Sequence, residues 1–302
     1  MPGINRPRDG FGGTLGVRIG ALTLIRADAR HLDAVAESSV ALVVTSPPYP
    51  MIPLWDKLFA SMGAFDYTAM HGILRDVWRE CTRVLIPGGI LAVNIGDAVR
   101  STDGKFQLWP NHATVLVDAT SVGLRPLPHI LWKKPTNKPN AFLGSGFLPP
   151  NAYVTLDCEY ILLFRKGNLR QFLRRDAVRE SSRYSRAERD RWFSQIWSDV
   201  RGARQGPESN RTAAFPSEIP DRLIRMFSVA GDTVLDPFAG TGTTLWSALR
   251  LGRSAIGVEI DAPSFARLVM AASKEAGAPA ARRTSRRSSS APVVRPPRRR
   301  RV

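Results

Sequence analysis

Residues Asp232–Asp261, "DTVLDPFAGTGTTLWSALRLGRSAIGVEID", decide the fold of this chain. The apolar run "TVLD" ends on an acid, Asp236, and a turn with glycines at 240 and 242 follows. "TTLWSALRLG" then has helical spacing, and "SAIGVEI" is a second apolar run carrying Glu259 at its tip. Strand, glycine-rich turn, helix and strand make a parallel α/β unit. Glycines let the backbone approach a ligand closely and leave amides exposed at the helix N-terminus.

The same stretch narrows the ligand. Glu259 stands 23 positions after Asp236, where a carboxylate can accept both hydroxyls of a ribose. The turn has no Gly-Lys-Ser/Thr, so it is not a P-loop, and it misses the G-x-G-x-x-G spacing of a dinucleotide site. Asp236 repels phosphate but suits an ammonium group, held directly or through the loop. A ribose and an ammonium without a phosphate describe S-adenosylmethionine. Taken alone, the turn also fits a plain tight βα connection; the acid at each strand tip argues against that.

Working outward, strand-like and helix-like runs alternate. Leu22–Asp28, Val40–Ser46, Ile90–Asp97, "HILW" (129–132) and Glu159–Gly167 read as strands. Tyr67–Leu85 has helical spacing, with Ile73, Leu74, Val77, Trp78 and Cys81 on one side, and "PGG" stops it. "HATVLVDATSVG" is a helix closing on Gly123, Ile219 to Phe227 carries a helical stripe, and "PSFARLVMAASKEA" is a last helix. The pattern implies a parallel sheet with helices on both faces. The early "FGGTLGVRIG" (11–20) reads as a flexible N-terminal loop, and residues 1–19 as a flexible N-terminus.

The run Val40–Val44 ends in "TSPPYP". Prolines donate no backbone hydrogen bond and fix φ, so Ser46–Tyr49 is a stiff turn at a strand's carboxyl end, where open α/β sheets bind ligands. It is either a plain loop or a rigid platform holding a hydroxyl, a carbonyl and an aromatic face.

Composition bounds the rest. The 302 residues, 43% hydrophobic, can bury one large core. No apolar stretch approaches a membrane span, and the first residues lack a signal peptide's apolar core. Two cysteines, Cys81 and Cys158, are too few for a disulfide framework or a zinc site, which makes a reducing cytoplasm the default. A formal charge of +17 asks for a polyanionic partner, most simply nucleic acid. Residues 276–302 hold nine arginines and no acid, and read as a disordered tail that either solubilises or tethers DNA. Arg165 to Arg211 has 13 basic and six acidic residues among Tyr184, Trp192, Phe193 and Trp197. That mixture suits phosphate contact with base stacking, or a helical insertion whose aromatics pack on the main domain.

"TSPPY" placed 191 positions before "DPFAGTGTT" resembles the amino-methylating DNA methyltransferases in their permuted β-group order, and most of all the SPPY cytosine-N4 members. The resemblance covers about residues 20 to 275. It implies a Rossmann-like class I sheet that uses S-adenosyl-L-methionine, with a catalytic half at 20–167 and a cofactor half at 211–275. "LIRADARHL" resembles the strand whose acid contacts adenine, which falls on Asp28. "AAFPSEIPDRLIRMFS" resembles the helix over the methionine end, so Phe215 and Pro216 line that pocket. Phe238 would pack near the adenosine, and Gly240, Gly242 and Thr243 would form the loop under the methionine portion.

The resemblance also implies a mechanism. An exocyclic amino nitrogen is a poor nucleophile because its lone pair is delocalised into the ring. Ser46 Oγ and the Pro47 carbonyl would accept its two hydrogens, Pro48 would stiffen the turn, and Tyr49 would stack on a base flipped from the duplex. In-line transfer then needs positioning rather than a metal or covalent intermediate. Ring-carbon methylation needs a Pro-Cys pair, and Cys81 follows Glu80 while Cys158 follows Asp157. Ser at the first motif position favours cytosine N4, with adenine N6 as runner-up. Methylation of RNA and a non-catalytic DNA-binding relative remain open, although Ser46, Tyr49, the "GTG" loop and Glu259 are all intact.

Residues 168–210 fill the place of that family's target-recognition region. Arg183, Arg186, Arg189 and Arg191 are its candidate phosphate or guanine contacts, against the plainer reading of a solvated charged face. Double-stranded DNA is the implied partner, and a cognate restriction endonuclease a further one. His31, His71, His112 and His129 show no metal-ligand spacing. Asp97 reads as a helix cap or a loop acid near the target base.

Overall fold

The computed structural model describes residues 15–102, 105–134, 154–201 and 215–277. Along the chain, β1 (Leu15–Ile19) and β2 (Leu22–Arg26) lead to β3 (Val40–Thr45). A 3-10 turn at Pro53–Trp55 and α1 (Asp56–Ser61) precede α2 (Tyr67–Val84) and β4 (Leu85–Ile95). The hairpin of β5 (Ala98–Thr102) and β6 (Lys105–Trp109) follows, then α3 (Asn111–Ser121), β7 (Leu124–Lys133) and β8 (Cys158–Lys166). Next come α4 (Ala177–Ser181), α5 (Arg186–Trp192) and the short β9 (Ile196–Trp197). The last run is α6 (Glu218–Phe227), β10 (Thr233–Asp236), α7 (Thr243–Arg250), β11 (Ser254–Val258) and α8 (Ala262–Gly277).

Nine strands form one sheet in the order β1-β2-β11-β10-β3-β4-β8-β7-β9. From β2 to β4 all neighbours are parallel, while β8 is antiparallel to both β4 and β7. The sheet is therefore mostly parallel, not purely so as the alternation implied. Lys134 N donates to Asp157 O at 2.8 Å, so β8 starts where β7 ends and must run back. Residues 15–19, read from their glycines as loop, are β1, paired antiparallel to β2 from Leu15↔Arg26 to Ile19↔Leu22. The rest of the expected flexible segment, 1–14, and most of the Arg-rich tail lie outside the described residues.

Both faces of the sheet are covered. Leu42 and Val44 of β3 join Val234 and helix residues Leu223, Leu245 and Leu268 in one cluster. Val40 and Val43 join Leu235, Leu74, Trp78 and Val115 in the other. A register shift between Val40 and Leu42 breaks simple alternation, which is why Val40 and Val43 share a face. All of β3 is buried, so the strand reads as an unbroken apolar run. Each such Leu or Val contributes about 1.5–3 kcal/mol of burial. Asp66 caps α2, its carboxylate accepting from Ala69 N at 2.8 Å. The helix ends at Val84, ahead of the "PGG" expected to stop it, because Pro87, Gly88 and Gly89 already belong to β4.

The consequence for function is topological. β10, late in the chain, lies between β11 and β3, so the turns after β3 and β10 leave the same edge side by side. From β3 the chain crosses to β4 on one side, and from β10 to β11 on the other. That reversal opens a crevice at the carboxyl ends of the strands.

Candidate active site

The turn after β10 is built around Asp236. Its carboxylate, 3% exposed, accepts from Phe238 N at 3.1 Å and from Thr45 Oγ1 at 2.7 Å. Thr45 is the last residue of β3, directly before Ser46, so one buried carboxylate clamps the two turns together. Burial pushes Asp236 up to about 6 even though these donors favour its ionised form. Gly240 adopts φ +50, and a Cβ there would meet Phe238 O at 3.8 Å, an ordinary contact. Its N–H donates to Glu259 Oε2 at 2.9 Å, and Asp261 N donates to Oε1 at 2.8 Å. Glu259 is thereby fixed while each oxygen keeps a lone pair, and burial raises its pKa as well. Asp28 ends β2's extension; burial works to raise its pKa, but Arg30 donates to both carboxylate oxygens and holds it below the ordinary value.

A cleft of about 590 Å³ runs between the turns, and a smaller pocket of about 110 Å³ adjoins it. Pro47, Phe215, Asp236 and Thr243 line the first, Asp28 and Pro48 the second, and Ser46, Phe238, Gly240 and Glu259 both. Ten residues singled out from sequence thus meet around one continuous space. Pro216 and Gly242 line neither part. Gly242 is instead the left-handed N-cap of α7 at φ +81, where a Cβ would come within 2.7 Å of Trp246 Nε1. Trp246 Nε1 in turn donates to Thr241 O at 3.0 Å, so this glycine shapes the turn from behind.

The space suits the ligand implied by the sequence. Three carboxylates (Asp236, Glu259, Asp261) and the apolar Phe238 and Ile260 face it, against the cations Lys57 and Arg267. A ribose has a fixed carboxylate to bind, and a positive, phosphate-free group meets net negative charge.

Tyr49 does not line the cleft; it stands beside Ser46 with its hydroxyl in a polar cluster. Ser46 Oγ donates to Tyr49 Oη at 3.1 Å, and Tyr49 Oη donates to Glu159 Oε2 at 3.1 Å. Asn94 Nδ2 donates to Tyr49 Oη at 2.9 Å and to Glu159 Oε2 at 2.7 Å, and Lys134 Nζ pairs with Glu159 Oε1. Asn111 Nδ2 donates to Pro50 O at 3.1 Å and Gly96 O at 3.0 Å, anchoring the far end of the turn. Sequence reasoning missed Asn94 and Glu159, whose only signal was polarity inside apolar strands, and Lys134, which lies just past the end of β7. It also missed Trp55, Lys57 and Leu58 on the segment after the turn, which line the cleft.

Asp97 acts as a cap, accepting from His112 N in the first turn of α3 at 3.1 Å, and it also holds the His112 ring at 2.7 Å. Cys81 is fully buried away from the cleft, and burial raises its thiol pKa. Among the described residues no group of three His, Cys, Asp or Glu is placed to hold a metal, and no helix is long and apolar enough to cross a membrane.

The four arginines proposed to contact DNA are not brought to the cleft. Ahead of them, Arg170 pairs with Asp232, and Ser182 Oγ accepts from Ala230 N, both just before β10. The start of the segment therefore lies at the amino ends of the strands, opposite the crevice, and its end returns to the other side, where Ile196 and Trp197 of β9 pair with Leu131 and Trp132 near the end of β7. Arg183 pairs with Glu180, Arg186 and Arg189 with Asp190, and Arg191 with Asp199 and Glu218. Trp192 and Trp197 are buried, which favours packing over stacking for these two aromatics. Residues 202–210 of the expected recognition segment lie outside the described residues.

Comparison with known proteins agrees with this geometry. The family model described as DNA methylase, for N6 and N4 methyltransferases, matches residues 40–268. The Type II methyltransferase M.MjaI of Methanocaldococcus jannaschii is 53% identical over 262 residues, 79% of this chain and 86% of that protein. M.MthZI of Methanothermobacter thermautotrophicus, also a Type II methyltransferase, is 45% identical over 78% of this chain and 71% of its own length. Among solved structures, TTHA0409 of Thermus thermophilus complexed with S-adenosyl-L-methionine superposes with a TM-score of 0.67 at 38% identity, covering 83% of this chain and 94% of that one. The cytosine-N4-specific PvuII DNA methyltransferase has a TM-score of 0.63 at 18% identity over 82% and 85% of the two chains, a likeness of fold.

Proposed function

The chain belongs to the DNA methylase family of N6/N4 amino-methyltransferases, and from that premise we propose that it methylates the exocyclic N4 of a cytosine flipped out of double-stranded DNA. It is a DNA methyltransferase that uses S-adenosyl-L-methionine. The observation that carries the reading is the shared cleft, in which Ser46 and Pro47 meet Asp236, Phe238, Gly240 and Glu259.

When bound, the cofactor supplies an electrophilic methyl group on a sulfonium. Glu259 accepts the ribose hydroxyls, Asp28 and Phe238 hold the adenine end, and Phe215, Gly240 and Thr243 enclose the methionine end, with Pro216 and Gly242 in support. Ser46 Oγ and the Pro47 carbonyl take the amino hydrogens of the base and free its lone pair. Pro48 limits motion of these acceptors, and Tyr49 faces the base ring. Orientation on this scale can account for several kcal/mol of a transfer barrier.

Ser46 at the head of the motif supports cytosine, and adenine N6 is the second reading. The Type II naming of both relatives motivates a restriction endonuclease as companion. The test is expression in a methylation-free bacterial host and single-molecule sequencing of its DNA. A discrete motif carrying N4-methylcytosine is the expected result. N6-methyladenine would replace the base assignment. No modified base, from folded protein that still binds the cofactor, would turn the reading towards RNA.

A further inference from the structure

The donor count around Tyr49 has a consequence for Ser46. A carboxylate only accepts, so Tyr49 must spend its single proton on Glu159 Oε2. Its oxygen is then left to accept, from Asn94 Nδ2 on one side and Ser46 Oγ on the other. Asn94 cannot turn its carbonyl inward without setting it against the same carboxylate, which takes its second hydrogen. Ser46 also has one proton, and this arrangement commits it to Tyr49. What Ser46 Oγ offers elsewhere is lone pairs alone.

We propose that Glu159 is a positioning and specificity-determining residue of the transfer: acting through Tyr49, it makes Ser46 an obligate hydrogen-bond acceptor, so that the site admits a base amino group and rejects a carbonyl oxygen in its place. This rests on the reading of the reaction given above. An unrestrained serine hydroxyl rotates and donates to a carbonyl as readily as it accepts from an amine. With its proton held, Ser46 and the Pro47 carbonyl set two acceptors against a keto oxygen, leaving buried groups unpaired. The cluster is built to persist. Glu159 is 8% exposed and keeps Lys134 as counter-ion, and a Cβ on Gly96 would crowd both Tyr49 and Glu159 at 3.1 and 3.2 Å. Burial and the Glu159 charge raise the Tyr49 pKa well above its ordinary value, so the phenol keeps the proton it must donate.

The test uses the full chain and a duplex containing the site found by sequencing. Wild-type methylation of that duplex is checked first; its absence counts against the reaction itself. Glu159→Gln, Tyr49→Phe and the double variant are then compared for cofactor affinity, single-turnover rate and binding to duplexes with cytosine or uracil at the target (hypoxanthine, where the target is adenine). Glutamine can donate to Tyr49 and reverse the chain of donors. Expected for Glu159→Gln are a rate lower by about 10²-fold, cofactor affinity within about twofold, and an amino-over-carbonyl preference at least tenfold weaker. Tyr49→Phe should weaken the preference similarly, and the double variant should be no worse than Tyr49→Phe. An unchanged preference in Glu159→Gln, or a double variant showing the product of both single effects, overturns the proposal. Should Glu159→Gln fail to fold, an unchanged preference in Tyr49→Phe overturns it equally.

Discussion

Asp236 shows how one side chain can serve architecture and ligand together. Its pKa in the fold, about 6, lies above the ordinary carboxylate value of 3.8, so between those values the native state binds more protons than the unfolded state. The contribution of this group to stability therefore falls as pH rises from about 4 through about 6, by about 3 kcal/mol in all. Glu259 is raised by burial too and acts in the same sense. A cationic ligand favours the ionised carboxylates and recovers that cost. The rise in Tm on adding S-adenosyl-L-methionine should therefore be larger at pH 7.5 than at pH 5, and Asp236→Asn should flatten the difference; a pH-independent shift in the wild type would contradict the assignment. Catalysis and cofactor binding should separate at neighbouring residues. Ser46→Ala should slow transfer by about 10²–10³-fold with calorimetric cofactor affinity near normal. Glu259→Ala should first weaken the cofactor, by about tenfold or more. Ser46 and Glu259 were legible in sequence because a turn's proline and glycine chemistry is local. Glu159 was not, because its partner Tyr49 is 110 positions away and nothing local marks which polar residue of a buried strand meets a distant hydroxyl.

The elements were legible to different depths for an equally physical reason. Periodicity marked α2, α3, α6, α7 and α8, since a helix with one buried face repeats its apolar residues whatever it packs on. Direction within the sheet was not encoded that way: β7 and β8 are apolar in either orientation, and only their pairing shows β8 running back. The aromatic, basic stretch after β8 proved most ambiguous, and Arg222 explains its outcome. Arg222 is 1% exposed, lies 4.8 Å from the Trp197 ring, and donates to Asp199 and Glu218. One helix residue thus pins the end of the insertion to α6. Arg225 does the same lower down, paired with Glu188 and set over Trp192. Arg222→Ala should cost about 3 kcal/mol, because it strips a buried cation from two carboxylates and uncovers Trp197. Chemical denaturation would measure this, and a loss under about 1 kcal/mol would mean that the aromatics alone hold the segment.

For the molecule as a whole, charge is the property the fold explains least and the sequence states most plainly. Among the described residues, basic charge is not concentrated at the crevice, where acids outnumber Lys57 and Arg267, and the insertion arginines Arg183, Arg186 and Arg191 are matched with carboxylates. Attraction for a polyanion must then come substantially from elsewhere in the chain, and residues 276–302 carry nine arginines without one acid. Arginines that neutralise phosphates release counterions, and each adds about 0.9 to the slope of log K against log salt. Removing residues 278–302, which leaves α8 whole, should therefore weaken DNA binding at low salt and make that slope shallower by several units. The same truncation should leave the methylated motif unchanged, because phosphate contacts carry no base information. Binding isotherms from about 50 to 300 mM salt, with sequencing of the modified DNA, test both halves. A truncated protein with an unaltered slope would make the tail a solubilising appendage; a changed motif would mean that part of sequence recognition resides there.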